Sequence, residues 1–66
     1  MEIIYNGQPR RVAEGVTVAE LLAPLKIPLP QIAVEVNQEL IPRERVAEVS
    51  LNTGDRVEVV TLAGGG

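Results

Sequence analysis

Three glycines, Gly64, Gly65 and Gly66, close this 66-residue sequence, and they are its most chemically suggestive group. Without a Cβ, the main chain at such positions can thread a narrow channel and approach another protein's site closely. Glycine also loses more conformational entropy on ordering than any other residue. Positions 63–66 are therefore expected to form a flexible tail in the free protein. A carboxylate at the end of a slender thread is suited to modification by another protein. The inert alternative is a frayed terminus.

The remaining residues offer little chemistry of their own. There is no cysteine and no histidine, one serine (Ser50) and one lysine (Lys26). The usual nucleophiles, the usual general base and the commonest metal ligands are thus missing or nearly so. The nine carboxylates show no metal-loop spacing, and short acidic runs are mostly solvated surface. No catalytic residue and no metal site are expected. The pattern suits a protein that is the substrate of other enzymes, or a binding module.

A chain of this length is expected to form one domain, residues 1–66, which buries only about 60% of the surface its unfolded form exposes. With no disulfide available, stability must come from hydrophobic patterning. The apolar fraction is 45% and the aromatic fraction 2%, so the core is aliphatic. Six basic residues against nine acidic ones give a net charge of −3. That balance argues against nucleic acid and against an anionic membrane as partner, because both need a basic patch. No apolar run reaches membrane-spanning length and no signal region is evident, so a cytoplasmic protein is expected.

Several elements follow from local pattern. Ile3-Ile4-Tyr5, the turn pair Asn6-Gly7 and a return through Arg10-Arg11-Val12-Ala13 predict a β-hairpin, with Pro9 at a strand start or an edge. Thr17-Val18-Ala19-Glu20 matches a capping box, and Val18, Leu21, Leu22 and Leu25 make one apolar helical stripe. Pro24 should stop or tighten that helix near Ala23. Ile27 and Leu29 are expected to tuck onto the core. Alternation of Ile32, Val34 and Val36 predicts a strand, and a turn at Asn37-Gln38-Glu39 leads to a short strand Leu40-Ile41 stopped by Pro42. Arg43 to Val49 suits a helical turn plus loop. Asn52-Thr53-Gly54-Asp55 is a turn, and Arg56 to Leu62 a last strand running into the glycines. The order predicts an α+β domain, a sheet with one helix on one face. Its core should be Ile3, Tyr5, Val12, Val18, Leu21, Leu22, Val34, Val36, Val57 and Val59. Ile4 and Val60 should then lie on the opposite face as apolar surface.

Over nearly its whole length the chain resembles the ThiS family, the small sulfur carriers of thiamine thiazole biosynthesis. The resemblance rests on Asn6-Gly7, Thr17-Val18-Ala19-Glu20-Leu21-Leu22, Val34-Glu35-Val36-Asn37 followed by Ile41-Pro42-Arg43, the turn Gly54-Asp55, and the glycine terminus. It implies a ubiquitin-like β-grasp fold, with one mixed sheet of four to five strands and one main helix. It also implies that an ATP-dependent activating enzyme adenylates the terminal carboxylate, which becomes a thiocarboxylate and donates sulfur to thiazole synthase. On that basis Gly66 bears the sulfur and Gly64 and Gly65 let the tail thread. No cofactor is bound by the carrier; ATP and a sulfur donor serve the partner enzyme. Two features depart from the family pattern. Pro24 stands where the family helix continues, and the tail has three glycines where two suffice.

The expected partner-binding positions are Ile4, Val60 and Leu62 on the outer sheet face, and Arg43 on its loop. The free carrier is expected to be a monomer. Asn37 and Pro42 have framework readings, as turn and strand-end residues. Arg10, Arg11 and Lys26 read as solvated surface. Two other functions fit the same body: a carrier like the small subunit of molybdopterin synthase, and a noncovalent ubiquitin-like module whose tail is inert.

Overall fold

Asn6 and Gly7 take φ of +48° and +81°, the pair of positive values that a two-residue type I′ turn requires. They join strand β1 (Glu2–Tyr5) to strand β2 (Gln8–Arg11), with Tyr5 opposite Gln8 and Ile4 opposite Pro9. The returning strand thus begins two residues before the expected Arg10, because the tight turn starts pairing at once. Pro9 lies on the sheet's edge strand, where its missing N–H leaves no ladder bond unmade. The structure, a computed structural model, describes residues 1–62. The expected flexible tail at 63–66, including Gly64, Gly65 and Gly66, lies outside the described residues.

Helix α1 (Val18–Leu22) begins with both halves of the capping box. The Glu20 amide donates to Thr17 Oγ1 at 3.1 Å, and the Thr17 amide donates to Glu20 Oε1 at 2.9 Å. The two remaining free amides of the first turn are met by a distant loop. Val18 donates to the Val49 carbonyl and Ala19 to the Val46 carbonyl, each at 2.9 Å. Every N-terminal donor therefore has an acceptor, which a five-residue helix needs because it is too short to hold itself. Beyond Leu22 the chain tightens into a 3₁₀ turn over Ala23–Leu25 with Pro24 inside it, and Lys26 ends it at φ +57°. The expected effect of Pro24 is observed.

Strands β3 (Ile32–Val36), β4 (Glu39–Leu40) and β5 (Arg56–Thr61) complete one sheet in the order β2-β1-β5-β3-β4. Strand β5 runs parallel to β1 and antiparallel to β3. This is a mixed five-stranded sheet with one α-helix, the β-grasp arrangement. The short fourth strand covers Glu39–Leu40 rather than Leu40-Ile41, because Asn37 and Gln38, at φ +52° and +70°, form another two-residue turn. Arg43–Arg45 is a 3₁₀ turn, as the polar stretch suggested.

The buried core is Ile3, Val18, Leu21, Leu22, Val34, Val36, Val46, Leu51 and Val57. Tyr5, Val12 and Val59, expected inside, pack half-buried against it. Val46 and Leu51 are additions: they belong to the loop that feeds carbonyls to the helix, where Leu51 also donates to the Val16 carbonyl at 2.8 Å. Leu29 does not tuck in. It is exposed on a proline-flanked 3₁₀ turn (Leu29–Gln31), while Ile27 is half-buried. Leu51, 2% exposed, anchors this loop to the core. Leu51→Ala should destabilise the domain by about 2–5 kcal/mol, the usual range for an enlarged core cavity. Urea unfolding with an unchanged m-value would register it; a loss below about 0.5 kcal/mol would show that the loop does not close the core.

Candidate functional site

Strand β5 occupies the middle of the sheet and leads directly to the glycine segment. It is gripped from both sides by asparagine side chains that extend neighbouring strands. On the β3 side, the Asn37 amide donates to the Arg56 carbonyl at 2.7 Å, and Asn37 Oδ1 accepts from the Arg56 amide at 3.0 Å. Asn37 Nδ2 also donates to Asp55 Oδ1 at 3.1 Å, while Asp55 Oδ2 accepts from the Asn52 amide at 2.8 Å. On the β1 side, the Asn6 amide donates to the Val57 carbonyl at 2.9 Å. The Asn6 side chain then takes both backbone groups of Val59, accepting from its amide at 2.8 Å and donating to its carbonyl at 3.3 Å. Both residues sit at positive φ in a two-residue turn, which frees the side-chain amide to stand in for a further strand residue. Asn37 is therefore a framework residue.

The outer face of the sheet carries the expected binding positions in two groups. Strand register sets Ile4 beside Arg56 and Ala33 opposite Val60. Val60 thus lies four residues, about 13 Å, further along β5 than the level of Ile4. Ile4 is half-buried in a shallow depression of about 200 Å³ that Glu35, Gln38, Arg56 and Glu58 also line. Val60 (58% exposed) and Leu62 (51% exposed) stand at the other end, toward the tail. The structure does not bring Ile4 together with them; charged Glu58 intervenes.

Two further exposed apolar residues, not anticipated from the sequence, lie toward the β3–β4 side of the sheet. Leu40, 63% exposed, faces outward opposite Glu35, and Leu29 is exposed nearby. A groove of about 260 Å³ is lined by Leu29, Pro30, Ala33, Leu40, Pro42 and Arg43. Arg43 is thereby placed at the rim of an apolar surface rather than alone on a loop. Its guanidinium Nε lies 3.6 Å from Glu44, an exposed ion pair of little energetic weight. Leu40 was recoverable from alternation: Ile41 turns inward, so Leu40 must turn out. All four large exposed hydrophobics among the described residues, Leu29, Leu40, Val60 and Leu62, thus belong to β3, β4, β5 and the segments that adjoin them.

Arg10 is exposed, as expected of a solvated strand residue, and it makes one contact besides. Its guanidinium lies 4.6 Å from the centre of the Tyr5 ring, shielding the one aromatic side chain at the edge of the core. The arrangement offers no acid, base or nucleophile set. Among the described residues no three carboxylates come together as a metal-binding group, and no helix is long and apolar enough to cross a membrane. Gly64, Gly65 and Gly66 fall outside the described residues, and the geometry is carried only as far as Leu62.

Comparison with known proteins adds a consistent set of likenesses. Residues 3–66 match the ThiS family. The chain is 35% identical over 66 residues to the sulfur carrier protein ThiS of Escherichia coli K12, covering all of both sequences. A solved thiamine biosynthesis protein, ThiS of Geobacter metallireducens, superposes with a TM-score of 0.82 at 38% identity, again over the whole of both chains. The chain is also 38% identical to a segment of a thiazole synthase from Paramagnetospirillum magneticum, of which it spans 20%.

Proposed function

Since this chain belongs to the ThiS family, the sulfur carriers of thiamine biosynthesis, we propose that it carries the sulfur destined for the thiazole ring as a thiocarboxylate on Gly66. A carboxylate is a poor electrophile. In the proposed cycle an oxygen of the Gly66 carboxylate attacks the α-phosphorus of ATP on an activating enzyme, and pyrophosphate leaves. Sulfide-level sulfur from a donor then adds at the acyl carbon as hydrosulfide, AMP leaves with one of the former carboxylate oxygens, and a proton is released. The resulting thiocarboxylate is the nucleophilic sulfur delivered to thiazole synthase. Throughout, the chain supplies a reactive end and a docking surface, with no acid or base of its own; the absence of histidine and cysteine from the sequence suits that role.

The observation that carries the reading is the family match running through the terminal glycines. Gly64 and Gly65 let a bare backbone enter a channel too narrow for side chains. The partnership with thiazole synthase is supported by a thiazole synthase that contains a segment like this chain within one polypeptide. The same relatives favour thiazole over molybdopterin chemistry. The carrier acts in the cytoplasm, as a monomer when free, and holds no cofactor. Its docking surface for the activating enzyme is the apolar outer face at the tail end, with Val60, Leu62 and Leu40 at the centre and Arg43 at the rim. Ile4 contributes at the periphery.

Removing Gly65 and Gly66 should abolish ATP–pyrophosphate exchange catalysed by the activating enzyme on this chain. The circular dichroism spectrum and melting temperature should stay unchanged, because the sheet ends before the tail. Continued exchange on the truncated chain would replace the carrier with a noncovalent module. Val60→Asp should raise KM for the carrier by about tenfold in a folded protein, the effect of placing a charge in an apolar contact centre. An unchanged KM would move the docking surface to the Arg43 loop.

A further inference from the structure

Backbone direction alternates along β5, and its bonds to β3 fix the phase. The Arg56 carbonyl accepts from Asn37, and the Leu62 amide donates to the Gln31 carbonyl at 2.7 Å. Even-numbered residues of β5 therefore address β3, and Val57, Val59 and Thr61 address the β1 side. There the sheet runs out early. Strand β1 pairs with β5 only at Ile4 and Tyr5 before the chain turns away at Asn6-Gly7, and the Asn6 side chain spends its amide on Val59. Thr61 is next in the series, is exposed, and has no backbone partner on that side among the described residues.

This notch differs from the sheet's outer edges. Strand β2 bears Pro9, Arg10 and Arg11, and β4 has only two residues, both common ways of discouraging a further strand. At the notch the sequence is Val60-Thr61-Leu62, uncharged and with β-branched Val60 and Thr61, and no proline or charged residue of the strand guards it there. A backbone donor and acceptor left open there are a ready template for strand addition.

We propose that an extended segment of the activating enzyme adds to the sheet at Thr61, continuing the line of β1 where Asn6 ends it. This inference rests on the carrier reading. The occupant follows from reach. Four residues, 63–66, separate Leu62 from the terminal carboxylate, so an enzyme acting on that carboxylate must lie within about 14 Å of Leu62. Pairing at the root of the tail aligns the thread before the glycines enter the channel. It also offsets part of the entropic cost of ordering them.

Amide exchange of the ¹⁵N-labelled carrier, alone and saturated with the activating enzyme, tests the pairing. The Thr61 amide should exchange freely in the isolated chain and slow by about 100-fold in the complex. Thr61→Pro removes that donor without breaking any bond among the described residues. It should keep the melting temperature within a few degrees while raising KM for the carrier by about tenfold; Thr61→Val should leave KM within about twofold. Free exchange at Thr61 in a saturated complex would overturn the proposal, as would wild-type KM for Thr61→Pro. Protection that appears in the isolated chain as its concentration rises would assign the notch to a second copy, and would also overturn it. Failure of the enzyme to bind the wild-type chain would instead sink the carrier reading, and the strand addition with it.

Discussion

The hold on strand β5 from both sides is the constraint on which the rest of the structure depends. This strand lies at the centre of the sheet and lines a small aliphatic core, and in the sequence it stands just before the glycines proposed to thread. Backbone pairing does not reach the whole strand: β1 is in register with β5 at two residues and turns away, and β3 pairs from Thr61 back only to Val57. Asn6 and Asn37 fill the gap by using side-chain amides as extra strand residues. That use requires both to occupy positive φ in a tight turn, which asparagine tolerates better than other non-glycine residues. The turn, the clamp and the strand are thus one device.

A second dependence links the helix to the far end of the chain. Five residues of helix have no stability of their own, and the capping box satisfies only part of the first turn. The carbonyls of Val46 and Val49 supply the rest, and the bridge between Thr17 and Ser50 places them there. Burial of Val46 and Leu51 fixes that loop to the core. The polar stretch after Pro42 is therefore part of the helix's support, and it leaves Arg43 exposed on the groove that Leu40 also lines.

Much of this was legible in the sequence. The Asn6-Gly7 pair, the Thr17 and Glu20 spacing and the Ile32, Val34, Val36 alternation each have a local physical cause, and each produced the expected element. Pro24 tightened the helix because its ring and missing amide act within one turn. The illegible parts depend on tertiary context. Val46 and Leu51 sit in a polar loop without periodicity, so only the need of a remote helix terminus reveals them. Leu29 looked like core by hydrophobicity, but its flanking prolines turn it outward beside Leu40. The tail-end patch was half visible, through Val60 and Leu62; separating Ile4 from it required the register of β1 against β5.

The proposed chemistry requires that this chain pass through a state with sulfur on its terminal carbon. Intact-mass analysis of the protein purified from its own host tests that most directly. A fraction should be heavier than the sequence by the difference between one sulfur and one oxygen. The excess mass should map to the C-terminal peptide and disappear when the gene for the activating enzyme is deleted. A single species at the unmodified mass, in cells actively making thiamine and handled to preserve thiocarboxylates, would contradict it.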